Sequence, residues 1–201
     1  PVDEQVSIVA IDLWGNRSEP SIINVKIDTI KKVEKKIEKL NPSLINSESN
    51  QNRVALIIGI EKYKKAPNAN FANLDAKYFY EYAKKGFGIN QQNIKLLIDK
   101  DANLVSSIGI LEKWLPSKIK DGKTELIIFF AGHGLASNDG KELYLLPQDS
   151  DPDLLARTAL SRTELFKEII KLNPKSVTMF LDTCYSGVSR DEKTLLASAR
   201  P

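Results

Sequence analysis

The run ELIIFFA occupies residues 125–131 and leads directly into Gly132, His133 and Gly134. It is too short for a buried helix and too continuously apolar for a strand with one wet face. A strand covered on both sides, as in a parallel sheet, is what remains. VALIIGI at 54–60 has the same character, and SVTMFLD at 176–182 is another long strand. NIKLLI at 93–98 and LYLL at 143–146 are shorter ones. Between these runs the apolar spacing turns helical. Leu74, Tyr78, Phe79 and Tyr82 line one side of a helix over 74–85, a second helix is expected over about 103–115, ending before Pro116, and a third over 161–172. Ser161-Arg162-Thr163-Glu164 opens the third as a capping box, in which serine and glutamate each satisfy an N–H that the first turn leaves over. Strands and helices in alternation predict an α/β domain with a mainly parallel sheet and right-handed crossovers. No internal repeat of fixed period is present.

Upstream of residue 53 the pattern differs. VSIVAIDL (6–13) and IINVKI (22–27) alternate as strands do, with a turn-rich connection from Trp14 through Pro20. Two strands alone are marginal in water. Residues 1–27 are therefore expected to be the C-terminal strands of an upstream β-sandwich-like domain, the chain opening on Pro1 rather than on methionine. Asn16-Arg17-Ser18 has the form of a glycosylation sequon, a match too common by chance to carry weight. Residues 28–52 are expected to hold an amphipathic helix and a polar linker. Ile30, Val33, Ile37 and Leu40 fall at helical spacing among lysines, and NPSLINSESNQN follows at 41–52. The α/β domain is then 53–201.

Composition narrows the possible functions. Of 201 residues, 27% are charged and 42% hydrophobic, with 29 Lys and Arg against 26 Asp and Glu for a net of +3. That balance argues against a disordered chain and against a dedicated nucleic-acid binder. One cysteine, Cys184, cannot form an internal disulfide, and with one histidine, His133, it cannot build a Cys/His zinc site. No run is apolar enough to span a membrane. The chain is expected to be soluble and cytoplasmic, the latter from its single reduced cysteine.

The same two residues are the candidates for chemistry. In open parallel sheets, functional groups gather beyond the carboxyl ends of the strands. His133 follows the strand at 125–131, and Cys184 follows the strand at 176–182 by two residues. If those strands are neighbours, both side chains enter one crevice. A lone cysteine is most often a small buried hydrophobe, but the joint placement is harder to explain that way. Glycines at 132, 134 and 187 also leave room for a substrate backbone. Cys184 would attack a scissile carbonyl, His133 would move the protons, and the backbone N–H groups of Gly134 and Cys184 would hold the oxyanion.

FFAGHG (129–134) and LDTCYSG (181–187), preceded by VALIIGIEKY (54–63) and NLDAKYF (73–79), resemble the caspase-like cysteine peptidases of peptidase family C14. They are most similar to the bacterial metacaspase-like proteins, or orthocaspases. DGKELYLLPQDSD (139–151) and TALSRTELF (158–166) resemble the same branch, so the likeness covers about 53–190. His133 and Cys184 are 51 residues apart, close to the caspase separation. The caspase pattern Q-A-C-x-G is not met, because Asp182-Thr183 precedes the cysteine, and this argues against cleavage after aspartate. The resemblance implies a three-layer α/β/α sandwich, a Cys184–His133 dyad without a third member, and an acidic S1 pocket lined by Asp182 and Asp75. A carboxylate pair there would take a protein or peptide with arginine, then lysine, before the cut. The plainer reading of Asp75, as a favourable charge in a first helical turn, carries less weight than the S1 role that the resemblance implies.

No cofactor is required. Asp149, Asp151, Asp153 and Asp191 are hard oxygen ligands that could hold an activating calcium, though their spacing matches no loop motif. The sequence ends 17 residues after Cys184, before the strands that caspase-like folds place next. A small-subunit chain or a missing C-terminal segment is therefore an expected partner, with Arg190, Lys193 and Arg200 as candidates for self-processing. No nucleic-acid or membrane partner is expected. The alternative is a caspase-like module that binds proteins without catalysis, against which the retention of both His133 and Cys184 counts.

Overall fold

The computed structural model describes residues 2–9, 11, 15–27, 41–137 and 139–183. The chain divides into two units, residues 1–40 and 41–201. In the first, β1 (Val2–Ile8) and β2 (Ser21–Ile27) form an antiparallel hairpin in register from Val2 opposite Ile27 to Ile8 opposite Ser21. The first strand lies earlier than the 6–13 expected. Its partner fixes the register, and among the described residues between the strands one isolated bridge joins Ile11 to Arg17. The lysine-rich helix expected after residue 28 lies outside the described residues.

The second unit is the α/β domain. Its elements in order are β3 (Arg53–Gly59), α1 (Ala72–Lys85), β4 (Ile94–Ile98), α2 (Leu104–Gly109), a π-helical turn over Ile110–Trp114, and α3 (Leu115–Lys118). Then come β5 (Glu125–Ala131), β6 (Gly134–Ala136), β7 (Leu143–Leu145), α4 (Leu155–Thr158), β8 (Leu160–Ser161), α5 (Arg162–Lys171) and β9 (Ser176–Asp182). The main sheet has the order β4-β3-β5-β9 and every pairing in it is parallel. β6, β7 and β8 make a small antiparallel sheet beside it.

Alternation along the central strands explains the layers. Val54, Leu56 and Ile58 of β3 and Leu126, Ile128 and Phe130 of β5 face one core, shared with Ile110, Leu115, Leu165 and Ile169 from the helices of that side. Ala55 and Ile57 with Ile127 and Phe129 face the opposite core, where Ala72, Ala76 and Ala83 bring α1 close. Both faces of β3 and β5 are therefore covered, as their continuous apolar runs require, and the domain is a three-layer α/β sandwich. β9 stands at the edge of the described sheet, and Phe180 and Leu181 are exposed there.

Three local details depart from the sequence pattern. Pro116 does not end the second helix. It falls in the first turn of α3, where a proline's missing N–H is one that no helical bond needs, after the widened π turn. The capping box of α5 is half made: Ser161 accepts the Glu164 N–H at 3.1 Å, but the Glu164 carboxylate takes Lys167 at 2.8 Å. Finally, residues 41–52 have mostly exposed side chains, yet their backbone is tied to the end of α1. The Ser47 N–H and hydroxyl donate to the carbonyls of Lys85 and Gly86 at 2.7 and 2.6 Å, satisfying acceptors that a helix end leaves over.

Candidate active site

The carboxyl ends of the four parallel strands lead into residues 60, 99, 132 and 183, and α1 begins at the same end of the sheet because it follows β3. β5 and β9 are direct neighbours, with Ala131 opposite Asp182. The pairing continues one step beyond β5, where the Gly132 N–H donates to the Asp182 carbonyl at 3.3 Å. His133 is thus next to the strand end from which the chain reaches Cys184. Cys184 itself lies outside the described residues, as do Arg190, Asp191, Lys193 and Arg200.

His133 is 4% exposed and held at three points. Its N–H donates to the Tyr63 hydroxyl at 2.8 Å, its carbonyl accepts the Leu146 N–H at 3.0 Å, and its Nε2 lies 2.9 Å from the Pro67 carbonyl oxygen. A carbonyl only accepts, so the Nε2 contact requires the proton on Nε2. In the neutral ring Nδ1 then carries the lone pair and is the basic nitrogen. The sequence offered no third member to orient this imidazole. The structure supplies one as a backbone carbonyl, which leaves no mark in residue types.

Tyr63 covers the ring from the side, with centroids 4.8 Å apart and planes tilted by 35°. Burial holds its phenol well above the ordinary range. The bond from the His133 amide works the other way, and the Asp99 charge adds to the rise. Asp99 follows β4 and adopts a left-handed backbone with φ of 45°. Its Oδ1 accepts the N–H groups of Glu61 and Lys62 at 2.8 and 3.0 Å, and its Oδ2 accepts the Asn73 amide at 3.1 Å. Partial burial pushes the Asp99 carboxyl up, but the Lys62, Asn73 and Glu61 bonds together outweigh it and hold the group below its ordinary value.

Asp75 lies in the first turn of α1, two residues after Asn73, and is half-buried. Asp182 closes β9 and is also half-buried. Both stand at the His133 end of the sheet, on different elements. Gly134 is buried as the first residue of β6, paired with Leu145. The neighbouring Thr183 hydroxyl is buried without a hydrogen-bond partner among the described residues.

Two of the acids considered for calcium hold neighbouring groups. Asp149 accepts the Leu104 N–H at 2.8 Å, and Asp151 holds Lys65 at 2.6 Å and the Asp153 N–H at 3.1 Å. Among the described residues no group of three His, Cys, Asp or Glu side chains is placed to share a cation. None of their helices is long and apolar enough to cross a membrane. A groove of about 520 Å³ lined by Leu104, Leu111, Leu160 and Leu165 includes none of the site residues.

The family model described as the caspase domain of Peptidase_C14 matches residues 52–199. The chain is similar in fold to a solved structure, that of protein GSU0716 from Geobacter sulfurreducens, with a TM-score of 0.54 at 19% identity. The match covers 68% of this chain and 52% of that one, so the chain spans about half the length of that structure. No curated protein matches the chain.

Proposed function

Because the chain belongs to the caspase-domain family of cysteine peptidases, we propose that it is the large-subunit part of a metacaspase-like endopeptidase in which Cys184 is the nucleophile and His133 the base. The observation that carries this reading is the parallel pairing of β5 with β9, extended by the Gly132 bond to Asp182. It supports a crevice shared by His133 and the segment that begins with Cys184.

In this mechanism Nδ1 of His133 takes the thiol proton as sulfur adds to the scissile carbonyl, and the imidazolium then gives that proton to the departing amine. Pro67 fixes the ring in the tautomer that this role needs. Backbone N–H groups of Gly134 and Cys184 hold the oxyanion. Asp182 and Asp75 select a basic side chain, with arginine ahead of lysine because its planar fork satisfies two carboxylate bonds at once. Cleavage after Arg190 or Lys193 would fit the same preference, and residues C-terminal to the cut, or a separate small-subunit chain, would complete the substrate cleft. The setting is regulated proteolysis in a bacterial cytoplasm.

The test is hydrolysis of fluorogenic peptides ending in Arg, Lys or Asp by the full chain and by Cys184→Ala, with and without calcium. Turnover of the Arg peptide that disappears in Cys184→Ala is expected. Preference for the Asp peptide would remove the acidic S1 assignment, and no turnover of any peptide by the intact protein, with or without calcium, would favour a binding module without catalysis.

A further inference from the structure

Four observations at the carboxyl end of the sheet concern residues that the dyad chemistry does not itself use. The Tyr63 hydroxyl takes the His133 N–H while the Tyr63 ring lies against the imidazole. Gly132, with φ of 157°, has no room for a side chain, because a Cβ there would collide with that same hydroxyl. Asp99 takes the two amides just before Tyr63, at Glu61 and Lys62. The Glu61 carbonyl accepts the Ala69 N–H at 2.9 Å, which closes the loop that carries both Tyr63 and Pro67. The loop is therefore clamped at its start by a carboxylate and across its base by a backbone bond. It presents two groups to one histidine, a carbonyl to the ring and a hydroxyl to the main chain.

We propose that Tyr63 is a positioning residue for the His133 imidazole, and that Asp99 acts through it by fixing the 61–62 backbone. The proposal rests on the peptidase reading of His133 and names what sets the base in that site. Pro67 holds Nε2 and the Leu146 N–H holds the His133 carbonyl; Tyr63 adds a hold on the other side of the His133 Cα through its hydroxyl, and its ring lies against the imidazole, so that Nδ1 keeps one direction. Asp99 also holds Asn73, two residues before Asp75, so one carboxylate keeps the loop bearing Tyr63 in register with the first turn of α1.

His133 is the only histidine in the chain, so its ring nitrogens give a single set of NMR signals that can be followed in the full-length protein without activity. The experiment compares wild type, Tyr63→Phe, Asp99→Gly and Asp99→Asn by ¹⁵N-histidine spectra, by kcat and KM on the Arg peptide, and by thermal unfolding. Tyr63→Phe keeps the ring and loses only the hydroxyl. Asp99→Gly removes the carboxylate at a positive φ that glycine adopts freely, and Asp99→Asn restores an acceptor for the two amides.

Wild type is expected to show the Nε2-protonated tautomer. Tyr63→Phe should mix the tautomers and lower kcat by about tenfold to a hundredfold, the scale of misplacing a reacting group by about an ångström, with KM within about twofold. Asp99→Gly should show the same signature, and Asp99→Asn should recover most of it. Unchanged tautomer and kcat in Tyr63→Phe, with only a lower melting temperature, would overturn the proposal, since packing alone gives that result. An Nδ1-protonated wild type would overturn it too. If the spectra respond as expected while wild type hydrolyses no peptide, positioning of the ring stands and the peptidase reading fails.

Discussion

Replacing Gly59 by alanine tests how closely α1 is laid against the sheet. Gly59 is the last residue of β3, flanked in the sheet by Ile98 and Ala131. A Cβ built there would collide with the Ala76 side chain and would sit 2.6 Å from the Ala72 carbonyl oxygen and 3.1 Å from the Asn73 Cα. Two of these three atoms are backbone, so no rotamer change relieves them. Ordinary contact needs about 3.5 Å, so the first turn of α1 must move out by roughly 1 Å. Overpacking of this kind costs about 1–3 kcal/mol. For a domain of this size each kcal/mol lowers the melting temperature by about 2–4 °C, so Gly59→Ala should lower it by about 2–12 °C. The assay is thermal unfolding with a double-mutant cycle against Ala76→Gly. Alone, Ala76→Gly should cost about 1 kcal/mol through helix propensity. Combined with Gly59→Ala it removes the side-chain collision and leaves the one with the Ala72 carbonyl, so the pair should be less destabilising than the sum by about 0.5 kcal/mol or more. Simple additivity, or a Gly59→Ala melting temperature within about 1 °C of wild type, would refute the close approach.

Other perturbations probe the site and its supports. Asp182→Asn and Asp75→Asn should each lower kcat/KM on the Arg peptide by about tenfold or more, the worth of a charge-assisted bond, with a smaller loss on the Lys peptide; equal losses on an uncharged peptide would show that neither selects charge. Asp99 is ionised more readily when folded than unfolded, so its contribution is present above the ordinary carboxylate value of about 4 and is lost as pH falls below it. Unfolding followed from pH 6 downward should therefore show an acid slope that is shallower in Asp99→Asn, and identical slopes would count against the hydrogen bonds to Glu61, Lys62 and Asn73. Ser161→Ala should reduce stability to urea by about 1 kcal/mol by removing the cap on the Glu164 N–H; no change in midpoint would mean that α5 does not need it.

The layers were legible because burial on both faces leaves only apolar residues to choose from. ELIIFFA and VALIIGI have no wet side, so their composition alone announces helices above and below. Boundaries were harder where local signals compete. Pro116 reads as a stop along the sequence, yet a proline in the first turn of a new segment costs no hydrogen bond, and the π turn before it makes that segment new. Glu164 satisfies the capping-box pattern, but Lys167 is one helical turn away on the same face and draws the carboxylate outward.

The site divides along a different line. His133 could be named as a candidate from sequence because it follows a buried strand, where functional groups collect, whereas Asp75 and Asp182 could be named only through the family resemblance. What holds His133 could not be named in the same way. Pro67 contributes only a carbonyl, which every residue has, and its value depends on a loop returning to the end of β5 from a point 66 residues earlier. Tyr63 stood in plain view within VALIIGIEKY, but a tyrosine after a buried strand reads as packing until the hydroxyl is seen on the His133 N–H. Asp99 gave the strongest missed signal. It is an acid directly beyond a sheet strand, at the same edge as the histidine, and the positive φ it adopts is one that aspartate tolerates better than most residues. Chemistry-bearing side chains are thus selected by type and can be read from a sequence. The groups that aim them are selected by position, and position exists only once the parallel order β4-β3-β5-β9 has brought four strand ends to one edge.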